Sequence, residues 1–172
     1  MTTTRRATGA ASALLAAAAL LAACTGSPDA GAQPPASEEP SAPTCESILR
    51  PSFVDELSDL GWSAQEGPFQ IGEHEVSGGV QCVWGDLSSG TDLAQMYGWA
   101  PIEADQSAEL QHYLEENGWV REEGEHFVYL TEDPALIGYL EEGEYGITYQ
   151  FADGWVALAD SKSGLDLVTW RG

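Results

Sequence analysis

The sequence predicts an α+β domain in which two helices pack on one face of a mostly antiparallel sheet. Three features carry that expectation. Leu49, Phe53, Leu57 and Leu60 recur at helical spacing, which marks one buried stripe. Leu110, Tyr113 and Leu114 repeat the pattern in a second segment, whose opposite side carries Asp105, Glu109, His112 and Glu116. Farther on, Tyr145, Ile147, Tyr149 and Phe151 alternate with other residues, Asp153-Gly154 interrupts them, and Trp155 to Ala159 returns as the second arm of a hairpin.

Each element follows from local chemistry. Pro51 suits the first turn of a helix, where its missing N–H is no loss, and Gly61 ends that helix. Residues 63–78, with Gly67, Pro68, Gly72 and Gly78, read as a long irregular loop. Val80, Cys82 and Trp84 alternate with Gln81 and Val83, which predicts a strand with an apolar inner face. Leu87 to Asp92 is a turn, Leu93 to Trp99 the second strand of that hairpin, and Pro101 its end. The helix predicted from Glu103 stops at Asn117-Gly118. Trp119 to Glu122 and His126 to Thr131 flank a Glu-Gly-Glu turn, residues 133–144 read as a short helix or loop, and Leu165 to Trp170 as strand or helix.

The amino-terminal part has a different character. Arg5-Arg6 precede an uncharged run from Ala10 to Ala23, the pattern of a secretory signal; it is shorter than the roughly 20 apolar residues of a permanent membrane helix. The residues after Arg5-Arg6 lack the apolar pattern of twin-arginine export, so general secretion is expected. Leu21-Ala22-Ala23-Cys24 resembles the bacterial lipobox. The resemblance implies cleavage before Cys24 and a diacylglycerol thioether on its sulfur, with an amide-linked acyl chain as a further anchor. Two or three such chains hold a soluble domain on a membrane where one does not. Residues 25–44 are mostly Pro, Ala, Ser, Gly and acid without an aromatic or branched aliphatic side chain, the composition of a tether that cannot bury enough surface to order itself. The expected organisation is therefore a signal at 1–23, an acylated Cys24 and tether at 24–44, and one globular domain at 45–172.

With Cys24 assigned to lipid, Cys45 and Cys82 remain, an even pair in an exported domain where thiols oxidise. A disulfide between them is expected to contribute about 3 to 4 kcal/mol; two separate structural thiols are the competing reading. All 28 acidic residues follow position 23, against only Arg50, Arg121, Lys162 and Arg171. That balance opposes nucleic acid and anionic headgroups; solubility is its simplest use.

Chemistry is sparse. His112 and Glu116 stand one helical turn apart like half of a zinc site, but on the solvated face and without a second histidine. His74 and His126 sit beside glutamates and read as polar loop or strand-end residues. No Gly-x-Ser-x-Gly elbow or Gly-rich phosphate loop is present, and neither Asp-rich turn has the alternating oxygens of a calcium loop. Trp84, Tyr97, Trp99, Trp119, Tyr139 and Trp155 are candidates for a ligand groove, although inward alternation accounts for most of them as core.

The lipobox, the Pro/Ala/Ser tether, the opening Cys45-x-x-Ile48-Leu49-x-Pro51 and the strand motif Cys82-x-Trp84 together resemble the small envelope lipoproteins of high-GC Gram-positive bacteria. That resemblance implies a location on the outer face of the cell membrane and disulfide pairing, but no reaction. The expectation is a lipid-anchored, non-catalytic binding or interaction module, without cofactor or metal, whose partner is an envelope protein or small ligand. The alternative is a carboxylate-based hydrolase of cell-wall polymers, which needs two acids roughly 5 to 10 Å apart across a cleft. A scaffold or spacer is the third reading.

Overall fold

The computed structural model describes residues 42–89, 93–133, 135 and 146–172. The predicted signal, Cys24 and nearly all of the tether lie outside the described residues, as do Tyr139, Tyr145 and most of segment 133–144.

The elements run α1 (Pro51–Asp59), β1 (Ser63–Ile71), β2 (His74–Gly85), β3 (Ala94–Pro101), α2 (Ala104–Glu116), β4 (Val120–Glu123), β5 (Val128–Thr131), β6 (Thr148–Ala152), β7 (Trp155–Ala159) and a 3₁₀ helix (Lys162–Leu167). Among the described residues the strands form one antiparallel sheet in the order β1-β2-β3-β7-β6-β5-β4. The α+β class is as expected, with the sheet dominant. Two meanders, β1 to β3 and β4 to β7, join where β3 pairs with β7. Helix α2 therefore has to cross β7, β6 and β5 to carry the chain from the middle of the sheet to its far edge.

The two helices do not share a face. Leu57 of α1 packs with Val80, Cys82, Trp84, Tyr97, Trp99, Ala157 and Ala159. Leu110 and Leu114 of α2 pack with Ala100, Leu130, Tyr149, Phe151, Val156 and Leu158. Neighbouring residues of one strand point to opposite faces, so Ala157 and Leu158 assign α1 and α2 to opposite sides of the sheet. The physical reason is in β3 and β7, which are apolar at consecutive positions and need cover on both faces.

Helix α1 begins at Pro51 as expected, and Leu49 and Leu57 are buried. Leu60 is not: it caps the helix and is 68 % exposed. Gly61, at φ +77°, turns the chain so that Trp62, not Leu60, packs against the core beside Leu57. Helix α2 ends as expected. The Asn117 side chain donates to the Tyr113 carbonyl at 2.8 Å, and Gly118 takes φ +87°.

Residues 63–78 are not a loop. Most of them form β1 and the first part of β2, joined by a two-residue turn in which Gly72 has φ +60°. Phe69, Ile71 and Val76 are buried against the α2 side. The register shifts between Pro68 and Gln70, which accommodates the proline without breaking the pair of strands.

The Cys45–Cys82 disulfide is formed, with Cα atoms 5.6 Å apart, and fixes the amino-terminal turn to the α1 face of β2. The end of the described chain closes the same side. Leu165 and Val168 are buried there, and Val168 bridges to Leu49 after the 3₁₀ turn, so this segment is neither a full strand nor an α-helix.

Candidate functional site

The sheet register brings one set of side chains together on the α1 face of the second meander. Glu122 of β4 pairs with Tyr129 of β5, Tyr129 with Gln150 of β6, and Gln150 with Ala157 of β7. One step toward the hairpin ends, Phe127 and Trp155 occupy the same face, 5.8 Å apart between ring centres. Phe127 lies 6.3 Å from Tyr129. Tyr129, Phe127 and Trp155 therefore make a row of half-buried rings.

Both ends of the row carry a cation. The Lys162 ammonium, from the first turn of the 3₁₀ helix, sits 4.5 Å from the Tyr129 ring centre and donates to the Glu122 carboxylate. The Arg171 guanidinium lies 4.3 Å from the Trp155 ring centre and donates to the Val168 carbonyl. Partial burial pulls the Arg171 pKa below its ordinary value. Two of the four basic residues that follow the predicted signal thus stand on aromatic faces of one surface.

Beneath the 3₁₀ helix the strands bury polar groups. Thr131 and Thr148 meet through their hydroxyls at 3.1 Å, and Thr148 also donates to the Gly146 carbonyl at 2.9 Å. The buried Gln150 amide reaches toward the Tyr129 hydroxyl at 3.4 Å. Beside this floor an open pocket of about 340 Å³ is lined by Tyr129, Lys162, Ser163, Leu165 and Asp166.

A second cleft, of about 290 Å³, lies at the β4–β5 and β6–β7 turns. Gln111, Glu123, Glu125, His126 and Asp153 give it polar walls. Arg121 holds Glu123 at 2.7 Å and donates to Gln111 at 3.0 Å.

The sequence-predicted candidates are scattered. His112 and Glu116 approach to 3.3 Å, largely exposed. His74 packs on Tyr113 at 4.7 Å, and His126 stands 3.7 Å from Glu125. Among the described residues no group of three or more His, Cys, Asp or Glu side chains could hold a metal ion. Of the aromatic set, Trp84, Tyr97 and Trp99 are core. Burial, with the nearby Asp160 charge second, raises the Tyr97 phenol pKa well above its ordinary value. Trp119 packs on Tyr149 at 5.2 Å, which leaves Trp155 as the one described member of that set in the half-buried row. Phe127, Tyr129, Lys162 and Arg171 were missed. Alternation of Phe127 and Tyr129 was the only local signal, and their alignment with Trp155 needs the register of three strands.

No helix of the described residues is long and apolar enough to cross a membrane. No family model, curated protein or solved structure matches this chain.

Proposed function

We propose that this chain is a lipid-anchored extracytoplasmic binding module of the cell envelope, and that the Tyr129–Phe127–Trp155 face with its adjoining pocket is where it binds. The anchor rests on the signal pattern and the Leu21-Ala22-Ala23-Cys24 motif. The observation that carries the binding role is the row of half-buried rings, left accessible on a sheet face whose other rings are core. Rings held in a fixed row offer large contact area at low entropic cost, and the two cations at its ends supply polar selectivity.

Amide hydrogen exchange of the full chain, with and without the small-molecule fraction of an envelope extract, tests this. Slower exchange in β5 and the 3₁₀ helix is the expected result. Unchanged exchange with that fraction and with wall polymers would refute the assignment. Mass spectrometry of the mature amino terminus tests the anchor separately: diacylglycerol on Cys24 supports it, and an unmodified Cys24 or an uncut leader overturns it.

The hydrolase reading has one feature in its favour, the cleft bearing Glu123, Glu125 and Asp153. Because Glu123 is engaged by Arg121, Glu125 and Asp153 are the residues such an enzyme would use. Release of soluble fragments from wall polymer, abolished in Glu125→Gln or Asp153→Asn, would favour it over the binding module.

A further inference from the structure

The two cations on the aromatic row differ in their partners. Lys162 is engaged by Glu122 and by the Tyr129 ring, whereas among the described residues no carboxylate pairs with Arg171. Burial shifts the Arg171 pKa downward, where a close carboxylate would push it up. In a chain with 28 acidic residues, that leaves a partly desolvated positive charge without a close counter-charge.

The guanidinium is also held in place. The Thr169 and Trp170 N–H groups both donate to the Ile48 carbonyl, and the Trp170 ring meets Trp99 at 6.3 Å, which ties this segment to the α1 face. Arg171 Nη1 donates to the Val168 and Trp170 carbonyls, and the guanidinium carbon stands 4.3 Å from the Trp155 ring centre. Both bonds use Nη1. Among the described residues Nε and Nη2 have no acceptor, and these two nitrogens form the edge that takes both oxygens of a carboxylate. Phe127, 5.8 Å from Trp155 between ring centres, continues the apolar surface toward Tyr129.

Resting on the binding-module reading, we infer that Arg171 and Phe127 form a site for a monocarboxylate carried on an apolar body. The carboxylate accepts from Nε and Nη2 beside Trp155, and the apolar body lies along Phe127 toward Tyr129. The single charge follows from the surroundings: a lone guanidinium edge compensates a lone carboxylate, while a polyanion meets repulsion from the acids of the chain. A small inorganic anion gains nothing from the rings. Because Nη1 already fixes the plane of the fork, little ordering is left for the ligand to impose.

Calorimetry on the full chain tests the assignment, with phenylpropionate as the probe and phenylpropanamide as its uncharged counterpart. The acid is expected to bind, and the amide to bind at least about tenfold more weakly. Arg171→Gln is expected to weaken the acid by at least about tenfold and to leave the amide unchanged. A purely structural role for Arg171 would move both probes equally, so the comparison separates the two. Phe127→Ala is expected to weaken acid and amide alike. Arg171 is exposed and follows the last buried residue of the described chain, so its variant should fold, and circular dichroism checks this. Where the glutamine variant does not fold, Arg171→Lys, which keeps the charge but loses the planar fork, gives the same comparison. N-acetylphenylalanine separates two sources of the same chemistry: tighter binding than phenylpropionate points to peptide chain ends, equal or weaker binding to free acids, and either supports a carboxylate site. Absence of phenylpropionate binding at about 10 mM, equal binding of acid and amide, an equal loss of both in the Arg171 variant, or indifference to Phe127→Ala would overturn the inference. If phenylpropionate fails while an envelope extract still slows exchange in β5, the ligand class is wrong and the binding module stands.

Discussion

The Cys45 and Cys82 sulfurs are bonded across 37 residues of sequence, and both side chains are buried on the α1 face of the sheet. All of α1 and β1 lies inside the loop they close. Removing the bond frees the unfolded chain, so the Cys45→Ala/Cys82→Ala variant is expected to lose about 3 to 4 kcal/mol. Urea unfolding of the oxidised protein and the variant measures it. A loss under about 1 kcal/mol would mean that the segment before α1 is held by Ile48 and Leu49 instead of by the bond.

Leu57 and Leu60 lie one helical turn apart but have opposite fates: Leu57 is 2 % exposed and Leu60 68 %. Leu57→Ala should therefore cost about 2 to 4 kcal/mol through lost burial and the cavity it leaves. Leu60→Ser should change stability by less than about 0.5 kcal/mol. Equal costs in thermal unfolding would restore Leu60 to the buried stripe.

How far these features could be read from the sequence depends on the range of the interaction behind each. Helix α2 and the β6–β7 turn are set by residues within one turn or hairpin of each other, and their positions came out as expected. The β1–β2 hairpin was hidden because Gly67, Pro68, Gly72 and Gly78 look like loop punctuation. Only Gly72 and Gly78 have positive φ; Gly79 and Gly98 instead make room for Phe69 across the sheet. The placement of the helices on opposite faces was legible in principle, since Val156 to Ala159 is apolar without alternation. The candidate site was largely illegible. Lys162 meets Glu122 across 40 residues, and Trp155 joins Phe127 only through the pairing of three strands.

Asp160 gives a pH dependence. Burial raises its carboxyl pKa above the ordinary value, and backbone hydrogen bonds oppose this only in part. The folded state thus binds a proton more readily than the unfolded chain. This contribution to stability is fully present below the unfolded pKa and is lost as pH rises through the folded one. Exposed Asp86 acts oppositely: Ser88 and Ser89 hold its pKa low, so its contribution is lost only as pH falls through that lowered value. Between about pH 7 and about pH 5 Asp86 stays ionised, and the raised carboxyl of Asp160 sets the sign. Tm should rise on acidification across that range, and less so in Asp160→Asn. A steady fall in Tm would contradict it.

Gly79 tests the packing that the sequence disguised. A Cβ built there meets the Ala100 Cβ at 2.4 Å and the Phe69 Cβ at 2.8 Å. Both atoms are fixed directly to backbone, and Ala100 belongs to β3 in the middle of the sheet, so neither can rotate away. Gly79→Ala should cost about 1 to 3 kcal/mol by overpacking, without any help from a positive φ. Gly154 provides the contrast. It has φ +82° and open space around its Cβ, so Gly154→Asn, which tolerates that conformation, should cost far less. The mechanism has a further signature. If part of the strain in Gly79→Ala comes from the Phe69 Cβ, Phe69→Gly, which removes that atom where alanine would keep it, relieves part of it in that background, and the double variant is less destabilised than the sum of the singles by at least about 0.5 kcal/mol. Strict additivity in urea unfolding would place the strain elsewhere and remove Phe69 from the account of why β2 needs a glycine there.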